Sequence, residues 1–248
     1  MRRRLIRRAV ASLSRRLERP ELLASMYPGA RRELREHIAM RALVAGTLGA
    51  DGLYVDVGTN RGQVLADAVR VAPRARHVAF EPIPELAAAL ERSFPQVDCR
   101  RLALGATAGS AEFCHFRTLD GWSGLRRNPE ISDAQGDPEY IEVNVSTLDA
   151  ELLDSHPRLL KIDVEGAELD VLRGAGELLA RARPIVIFEH VAAAAALYGA
   201  PPGEPWELLD RLDYEVFSVT GDGPFTRADF VACANVVNWL ATPATNGR

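Results

Sequence analysis

Lysine is almost missing from this chain: Lys161 stands alone against 29 arginines among the 30 basic residues. Cysteine is scarce too. Cys99, Cys114 and Cys233 are an odd set with no CxxC spacing, which excludes a disulfide framework and argues against a structural zinc site. They read as reduced, mostly buried thiols of a cytoplasmic protein. Nowhere do the ~18 apolar residues of a membrane-spanning helix run together, and the amino-terminal stretch has no continuous apolar core of the signal-peptide kind. Repeats are lacking, and the alanine run Ala192 to Ala196 is the one low-complexity tract. What is present is a chain of 248 residues, 47% apolar, long enough to bury a full core as one large domain.

Charge is distributed unevenly. Eight arginines and one acid, Glu18, put +7 on residues 1–19, which leaves −11 on the rest of a chain whose net charge is −4. So acidic a body excludes a general nucleic-acid binder, because phosphate neutralisation needs a basic face. In MRRRLIRRAVASLSRRLER, Leu5, Ile6, Val10, Leu13 and Leu17 form an apolar stripe opposite arginines. This is the pattern of a basic amphipathic helix, solvated or laid on an anionic membrane surface. The expected organisation is a basic helical extension over residues 1–45 and one catalytic domain over residues 46–248. Localisation is expected to be cytoplasmic, with peripheral membrane contact through the basic end; nothing in the sequence sets an oligomeric state.

Short apolar runs alternate with helical periodicity from residue 53 onward. Leu53 to Val57 reads as a strand, Gly62 to Val71 as a helix and HVAFEP, His77 to Pro82, as a strand ending in an acid and a proline. A helix from Pro84 to Ser93 follows, opened by its proline and Glu85, and then a strand from Cys99 to Leu104. This βαβαβ order predicts an α/β fold with a parallel sheet covered by helices on both faces. Ser110 to Phe116 and Tyr140 to Val145 alternate as solvent-facing strands around a long Gly-, Asp- and Pro-rich loop. The rhythm then resumes with a strand Leu159 to Val164, a helix Ala167 to Arg173, a strand Pro184 to Phe188 and a helix Glu204 to Leu212. Tyr214 to Val219 and Ala234 to Leu240 read as a final antiparallel pair.

In an open parallel sheet, ligands sit beyond the carboxyl ends of the strands where strand order reverses, and the turn after the first strand lies there. That turn is Gly58-Thr59-Asn60-Arg61-Gly62. Dinucleotide folds place GxGxxG at this point so that a pyrophosphate can approach the helix N-terminus. Here Asn60 replaces the middle glycine and Asp56 precedes the turn. A side chain crowds a diphosphate and an acid repels it, whereas both suit a ligand end carrying an ammonium. Glu81, 25 residues after Asp56 at the tip of the second strand, fits a carboxylate accepting the two hydroxyls of a ribose. That role serves a nicotinamide dinucleotide and S-adenosylmethionine alike.

DVGTNRG, FEPIP, LALG (Leu102 to Gly105), VSTLD (Val145 to Asp149) and LKIDVEGAELDVLRGA (Leu160 to Ala175), in that order, resemble the FkbM-type S-adenosylmethionine-dependent methyltransferases, from about Tyr54 to Asn238. The resemblance implies a class I methyltransferase Rossmann-like sheet of seven mostly parallel strands, the last antiparallel. It implies O-methylation of a hydroxyl on a sugar, polysaccharide, glycolipid or secondary metabolite, with S-adenosylmethionine as cofactor. By motif, Asp56, Gly58, Asn60 and Gly62 would shape the methionine end of the cofactor pocket and Glu81 would hold the ribose. Pro82, Ile83, Ala103 and Leu104 would border the adenine. Thr59 departs from the alanine more usual there.

Methyl transfer to an alcohol is an in-line displacement, helped by a base or metal near the acceptor oxygen. Strand-tip position singles out Asp163 as base or hydroxyl orienter, with Glu165 beside it on the same side if the strand persists. The two could share a proton or a divalent ion, or Glu165 could cap the next helix. Glu189 and His190, at the next strand tip, are further candidates for the acceptor site. Trp122 and Ser123, in the GWSG of the long loop, could supply an acceptor surface, though the tryptophan could equally anchor the loop. Lys161 reads as a strand residue with a snorkelled charge, Glu168 and Asp170 as solvated helix residues, and His37, His77, His115 and His156 as structural. No metal ligand set is indicated. The expected partner is a small-molecule or glycan acceptor, with no nucleic acid. Two other readings stay open: an NAD-dependent oxidoreductase, and a cofactor fold kept as a non-catalytic interaction module.

Overall fold

The structure is a computed structural model and describes residues 30–117, 120–127 and 138–244. The arginine-rich segment 1–19 lies outside the described residues. The helical lead-in is α1 (Ala30–Thr47), so a boundary at residue 45 falls inside a helix. That helix is built into the fold: Ala39, Met40, Leu43 and Val44 pack into the core under β1 (Leu53–Val57) and α2 (Gln63–Val71). Its polar side is tied down by Arg41 to Asp67 at 3.1 Å and by the Asn238 amide donating to Glu36 at 2.7 Å.

The βα alternation continues through β2 (Arg76–Phe80), α3 (Pro84–Ser93) and β3 (Asp98–Arg100). Proline at the start of α3 pre-sets the first helical turn, and Ala87 and Leu90 face the core. The strand expected over Cys99–Leu104 is two strands: Leu102 N–H turns back to Arg100 O at 3.0 Å, so β4 (Ala103–Leu104) leaves the main sheet. It joins β5 (Gly109–His115) and β6 (Glu139–Ser146) in a separate three-stranded sheet ordered β4-β6-β5. The chain then runs through α4 (Leu148–Glu151), β7 (Leu159–Ile162), α5 (Glu168–Arg173) and α6 (Gly176–Ala182). It ends with β8 (Ile185–Glu189), α7 (Ala192–Leu197), α8 (Glu204–Arg211), β9 (Tyr214–Ser218), α9 (Arg227–Ala232) and β10 (Asn238–Pro243).

The main sheet has seven strands in the order β3-β2-β1-β7-β8-β10-β9. β3, β2, β1, β7 and β8 are parallel, and β10 runs antiparallel to both neighbours. The last strand is antiparallel as expected but begins four residues later than the apolar pattern suggested. Residues 234–237 are irregular, and the segment before them forms α9, whose start is fixed by a capping box between Thr226 and Asp229. Strands β1 and β7 are buried along their whole length, as strands covered on both faces must be. Leu53, Val55 and Val57 point into one core layer with Leu172, Leu179, Leu209 and Trp239. Tyr54 points the other way, with Leu65, Leu90 and Leu159. Each fully buried aliphatic side chain contributes about 1.5–3 kcal/mol, so both layers hold the central strands rigidly. Order reverses between β1 and β7, and this places the carboxyl ends of those two strands at the ligand crevice.

Candidate active site

A cavity of about 490 Å³ opens at that reversal, within the size range of small-molecule and cofactor sites. Its floor is the turn after β1. Gly58 and Thr59 N–H groups both donate to Phe80 O at 3.1 Å, and the Thr59 hydroxyl donates back to Asp56 O at 3.0 Å. The Thr59 hydroxyl thus closes the turn. Gly58 has φ +73°, and a Cβ there would stand 1.8 Å from Asp163 O. Only glycine lets the β1 turn and the β7 tip touch backbone to backbone.

Glu81 is 4% exposed and spans the turn. Asn60 N–H donates to its Oε2 at 2.7 Å and Ile83 N–H to its Oε1 at 2.9 Å. Asn60 itself sits at φ +50°, a conformation that asparagine tolerates better than most residues, and its Oδ1 accepts from Arg61 N at 2.7 Å. Backbone N–H groups thus fix both Glu81 oxygens at the cavity wall. Asp56, Gly58, Asn60 and Glu81 line the cavity together with Pro82, Ile83, Ala103 and Leu104. Gly62 is not on the wall; it is the residue before α2, packed against Leu90 and Phe94.

The opposite end is acidic. β7 stops at Ile162, so strand alternation does not carry from Asp163 to Glu165 as anticipated. Glu165 takes φ +57° and Gly166 φ +105°, a strained turn of the kind that persists where neighbouring structure over-determines it. The turn still converges the acids: one oxygen each of Asp163, Glu165 and Glu189 lies within 4.8 Å of the other two. Glu165 does not cap the helix. No side chain does; Glu168 instead braces the turn before the helix, its Oε1 accepting from Val164 N at 2.9 Å and Gly166 N at 3.1 Å, and it is 1% exposed. The expectation of a solvated Glu168 is therefore wrong, because the tight turn leaves backbone donors that only a buried acceptor can satisfy. Asp170 is half-buried and paired with Arg173.

Lys161 is corrected likewise. It is 5% exposed, and its Nζ lies 3.1 Å from Asp163 Oδ2 and 3.5 Å from Asp56 Oδ1. A charge with acids on both sides is held in place and has no need to reach for water. Burial would raise Asp163, but the Lys161 charge and hydrogen bonds from Glu189 and Lys161 hold it below its ordinary value. Burial and then the Asp163 charge push Glu189 up to about 10. Glu165 is pushed up to about 8 by burial, then by Asp163 and Glu168. One ionised carboxylate therefore sits among protonated ones. Lys161 supplies a positive charge beside this cluster, whose three oxygens are also close enough together to hold a cation.

The remaining candidates divide. Glu189 does not line the cavity and reaches it through its hydrogen bond to Asp163. His190 is not among the wall residues: its ring stacks on Phe230 at 5.1 Å, and burial lowers its pKa. Ser123 lines the cavity and is buried, its Oγ accepting from Phe116 N at 2.9 Å. Trp122 is 43% exposed and off the wall. The sequence reading missed Phe113 and Leu125, which add apolar wall; Phe113 stands at the point where the outward alternation of β5 gives way to three buried residues. It also missed Tyr198, whose hydroxyl accepts from Arg126 N at 3.1 Å and ties the loop to the segment after α7.

Residues 56–216, which contain the glycine turn, the Glu81 clamp and the acidic turn, match the methyltransferase FkbM domain. The chain belongs to this family. It is 30% identical over 224 residues to the AMB antimetabolite synthetase AmbE of Pseudomonas aeruginosa, a match that covers 74% of this chain and 10% of that protein. It is 29% identical over 162 residues to the methyltransferase sdnD of Sordaria araneosa, covering 52% of this chain and 62% of the relative. The chain thus spans a tenth of the first relative and about three fifths of the second. A solved structure of methyltransferase FkbM from Methylobacillus flagellatus KT aligns over 94% of this chain and 60% of its own, at 15% identity and a TM-score of 0.49. The FkbM chain described here has the class I methyltransferase sheet that its motifs implied.

Proposed function

We propose that the protein is an S-adenosylmethionine-dependent O-methyltransferase acting on a hydroxyl of a sugar, glycolipid, polysaccharide or secondary metabolite. The observation that carries this reading is one cavity with a backbone-held carboxylate, Glu81, at one end and an ionised carboxylate, Asp163, at the other. The residues fit the cofactor. Asp56 lines the cavity with its buried Oδ1 3.5 Å from the Lys161 ammonium, an acid placed for the amino-acid end, and Glu81 suits a ribose diol. Pro82, Ile83, Ala103 and Leu104 offer the apolar walls an adenine needs. When bound, S-adenosylmethionine supplies an electrophilic methyl group on a sulfonium sulfur.

This chain's residues do the rest. Asp163 accepts the proton of the acceptor hydroxyl, and Glu189, protonated and hydrogen-bonded to it, steadies the carboxylate and spreads its charge. Glu165 and Ser123 orient further acceptor groups. Phe113 and Leu125 exclude water from the reacting oxygen. His190 enters the proposal only as support for the β8 tip, through its packing on Phe230. The AmbE relative is named as an antimetabolite synthetase, which favours the secondary-metabolite end of the acceptor range. The basic segment 1–19 would draw the enzyme to anionic surfaces, and its deletion is expected to abolish pelleting with anionic liposomes.

The test is mass spectrometry of a cell extract incubated with the protein and methyl-labelled S-adenosylmethionine. A labelled product with an added O-methyl group, absent with D163A, supports the reading; undiminished labelling by D163A overturns the role given to Asp163.

A further inference from the structure

A chain that uses arginine 29 times places its single lysine, Lys161, at the floor of the active site. β7 lies between β1 and β8, so Lys161 is directly opposite Asp56 on one side and Ile187 on the other. Lys161 is 5% exposed and Asp56 is 1% exposed. A guanidinium is a wide, planar fork, whereas an ammonium is a compact point charge that can sit between two acids on adjacent strands. Its distances, 3.5 Å to Asp56 Oδ1 and 3.1 Å to Asp163 Oδ2, put one positive charge between the two ends of the cavity.

We propose that Lys161 is the positioning residue that couples those ends: its one buried ammonium, 3.5 Å from Asp56 Oδ1 and 3.1 Å from Asp163 Oδ2, supplies the positive charge shared by the acid on the donor side and the acid on the acceptor side. The proposal rests on the reading of this cavity as a methyl-donor site. The groups facing Asp56 are Tyr54 on its own strand, Lys161 on β7 and Asp163 beyond it. Those facing Asp163 are Lys161, Glu189 on β8, and Glu165 and Glu168 from the turn into α5. Every one of these except Lys161 is an acid or a phenol. Burial favours the neutral form of each carboxyl, and Lys161 is the opposing charge. Burial already leaves Asp56 above its ordinary value with Lys161 opposing it, so losing the ammonium would favour the neutral acid further and weaken its meeting with a ligand ammonium. Methyl donor binding and acceptor deprotonation thus depend on the same charge, though Lys161 need touch neither ligand.

The test uses S-adenosylhomocysteine, which needs no acceptor, and titration calorimetry from pH 6 to 8.5. The wild type is expected to bind with an affinity that changes little over this range. K161M is expected to bind about tenfold more weakly at pH 7, the equivalent of one charge-assisted hydrogen bond, and to recover affinity as pH rises and Asp56 loses its proton. A purely structural role for Lys161 would weaken binding equally at every pH, and that result overturns the proposal, as does an unchanged affinity. Because K161M leaves two buried acids uncompensated, the comparison is repeated as D163N against K161M/D163N, in which the lost charge is balanced. The double variant is again expected to bind more weakly and with a rising pH profile; equal affinity and equal profile for that pair overturns the coupling to Asp56. Absence of S-adenosylhomocysteine binding by the wild type would overturn the donor-site reading itself, and the two failures are distinct.

Discussion

Glu81 shows how a single side chain is prepared for a ligand. Its two oxygens are aimed by Asn60 N–H and Ile83 N–H, and the whole group is nearly dry. A glutamine could keep one of these bonds but would turn an NH₂ group against the other N–H. E81Q is therefore expected to weaken S-adenosylhomocysteine binding by ~10- to 100-fold, the loss of a charged hydrogen bond at ~1.5–3 kcal/mol, with little change in melting temperature. Isothermal titration and a thermal melt on the same sample separate the two effects. Glu168 makes a different prediction. Burial pushes it up to about 7 from an ordinary 4.5, against the pull of the Val164 and Gly166 N–H groups. A raised acid contributes stability below its unfolded value, and the contribution is lost as pH rises through its folded value. The wild type should therefore lose up to ~3 kcal/mol from this group between pH 4.5 and 7. E168Q keeps an acceptor for both N–H groups but cannot ionise, so its stability should fall less over that window. Equal slopes for the two proteins in urea denaturation would refute the assignment.

At the scale of elements, the site exists because two strand tips meet. Asp163 N–H donates to Val57 O at 3.1 Å while Asp163 O lies where a Gly58 side chain would be. G58A must separate the β1 turn from the β7 tip, and the positive φ adds strain. We expect it to cost ~3 kcal/mol or more and to abolish cofactor binding, read by calorimetry and chemical denaturation. The second sheet, β4-β6-β5, carries Phe113 and the Ser123–Leu125 stretch to the other wall. It is fastened by the Cys114–Gly124 bridge and by Tyr198. Much of this element pattern was legible in the sequence, because buried parallel strands leave continuous apolar runs and glycine marks the turns. The early end of β7 was not, because Ile162-Asp163-Val164 alternates as well as any strand. The helix α9 was missed because it is a single short segment whose start is a two-residue capping box.

For the whole molecule, the seven-stranded order sets the crevice between β1 and β7, and the helix layers keep both strands dry. Among the described residues no helix is long and apolar enough to cross a membrane. A ligand that binds only the folded state at a hundred times its dissociation constant stabilises it by about 2.7 kcal/mol. S-adenosylhomocysteine should therefore raise the melting temperature by several degrees, and NADH, which lacks an amino-acid end for Asp56 and carries a diphosphate, should not. A shift with NADH and none with S-adenosylhomocysteine would move the protein to the oxidoreductase class. Because Lys161 already supplies the cluster's positive charge, chelation with EDTA is expected to leave S-adenosylhomocysteine affinity unchanged; a loss restored by magnesium would show that the three carboxylates hold a cation.

The sequence by itself determined the glycine-turn end of the cavity. The turn, Asn60 and Glu81 lie within 26 residues of one another, and their backbone conformations follow from local chemistry: glycine and asparagine at positive φ, a proline-started helix, an acid at a strand tip. It also named Asp163, Glu165 and Glu189 as candidates, since strand tips in an open sheet face the crevice. Only the tertiary structure decided which acid is charged. That depends on Lys161 standing between Asp56 and Asp163, on β8 bringing Glu189 against Asp163, and on Glu168 turning inward to satisfy a strained turn. Ionisation of a buried group is set by the sum of charges and dipoles around it, contributed by residues far apart in the chain. A one-dimensional pattern carries the identity of those residues but not the distances on which their energies depend.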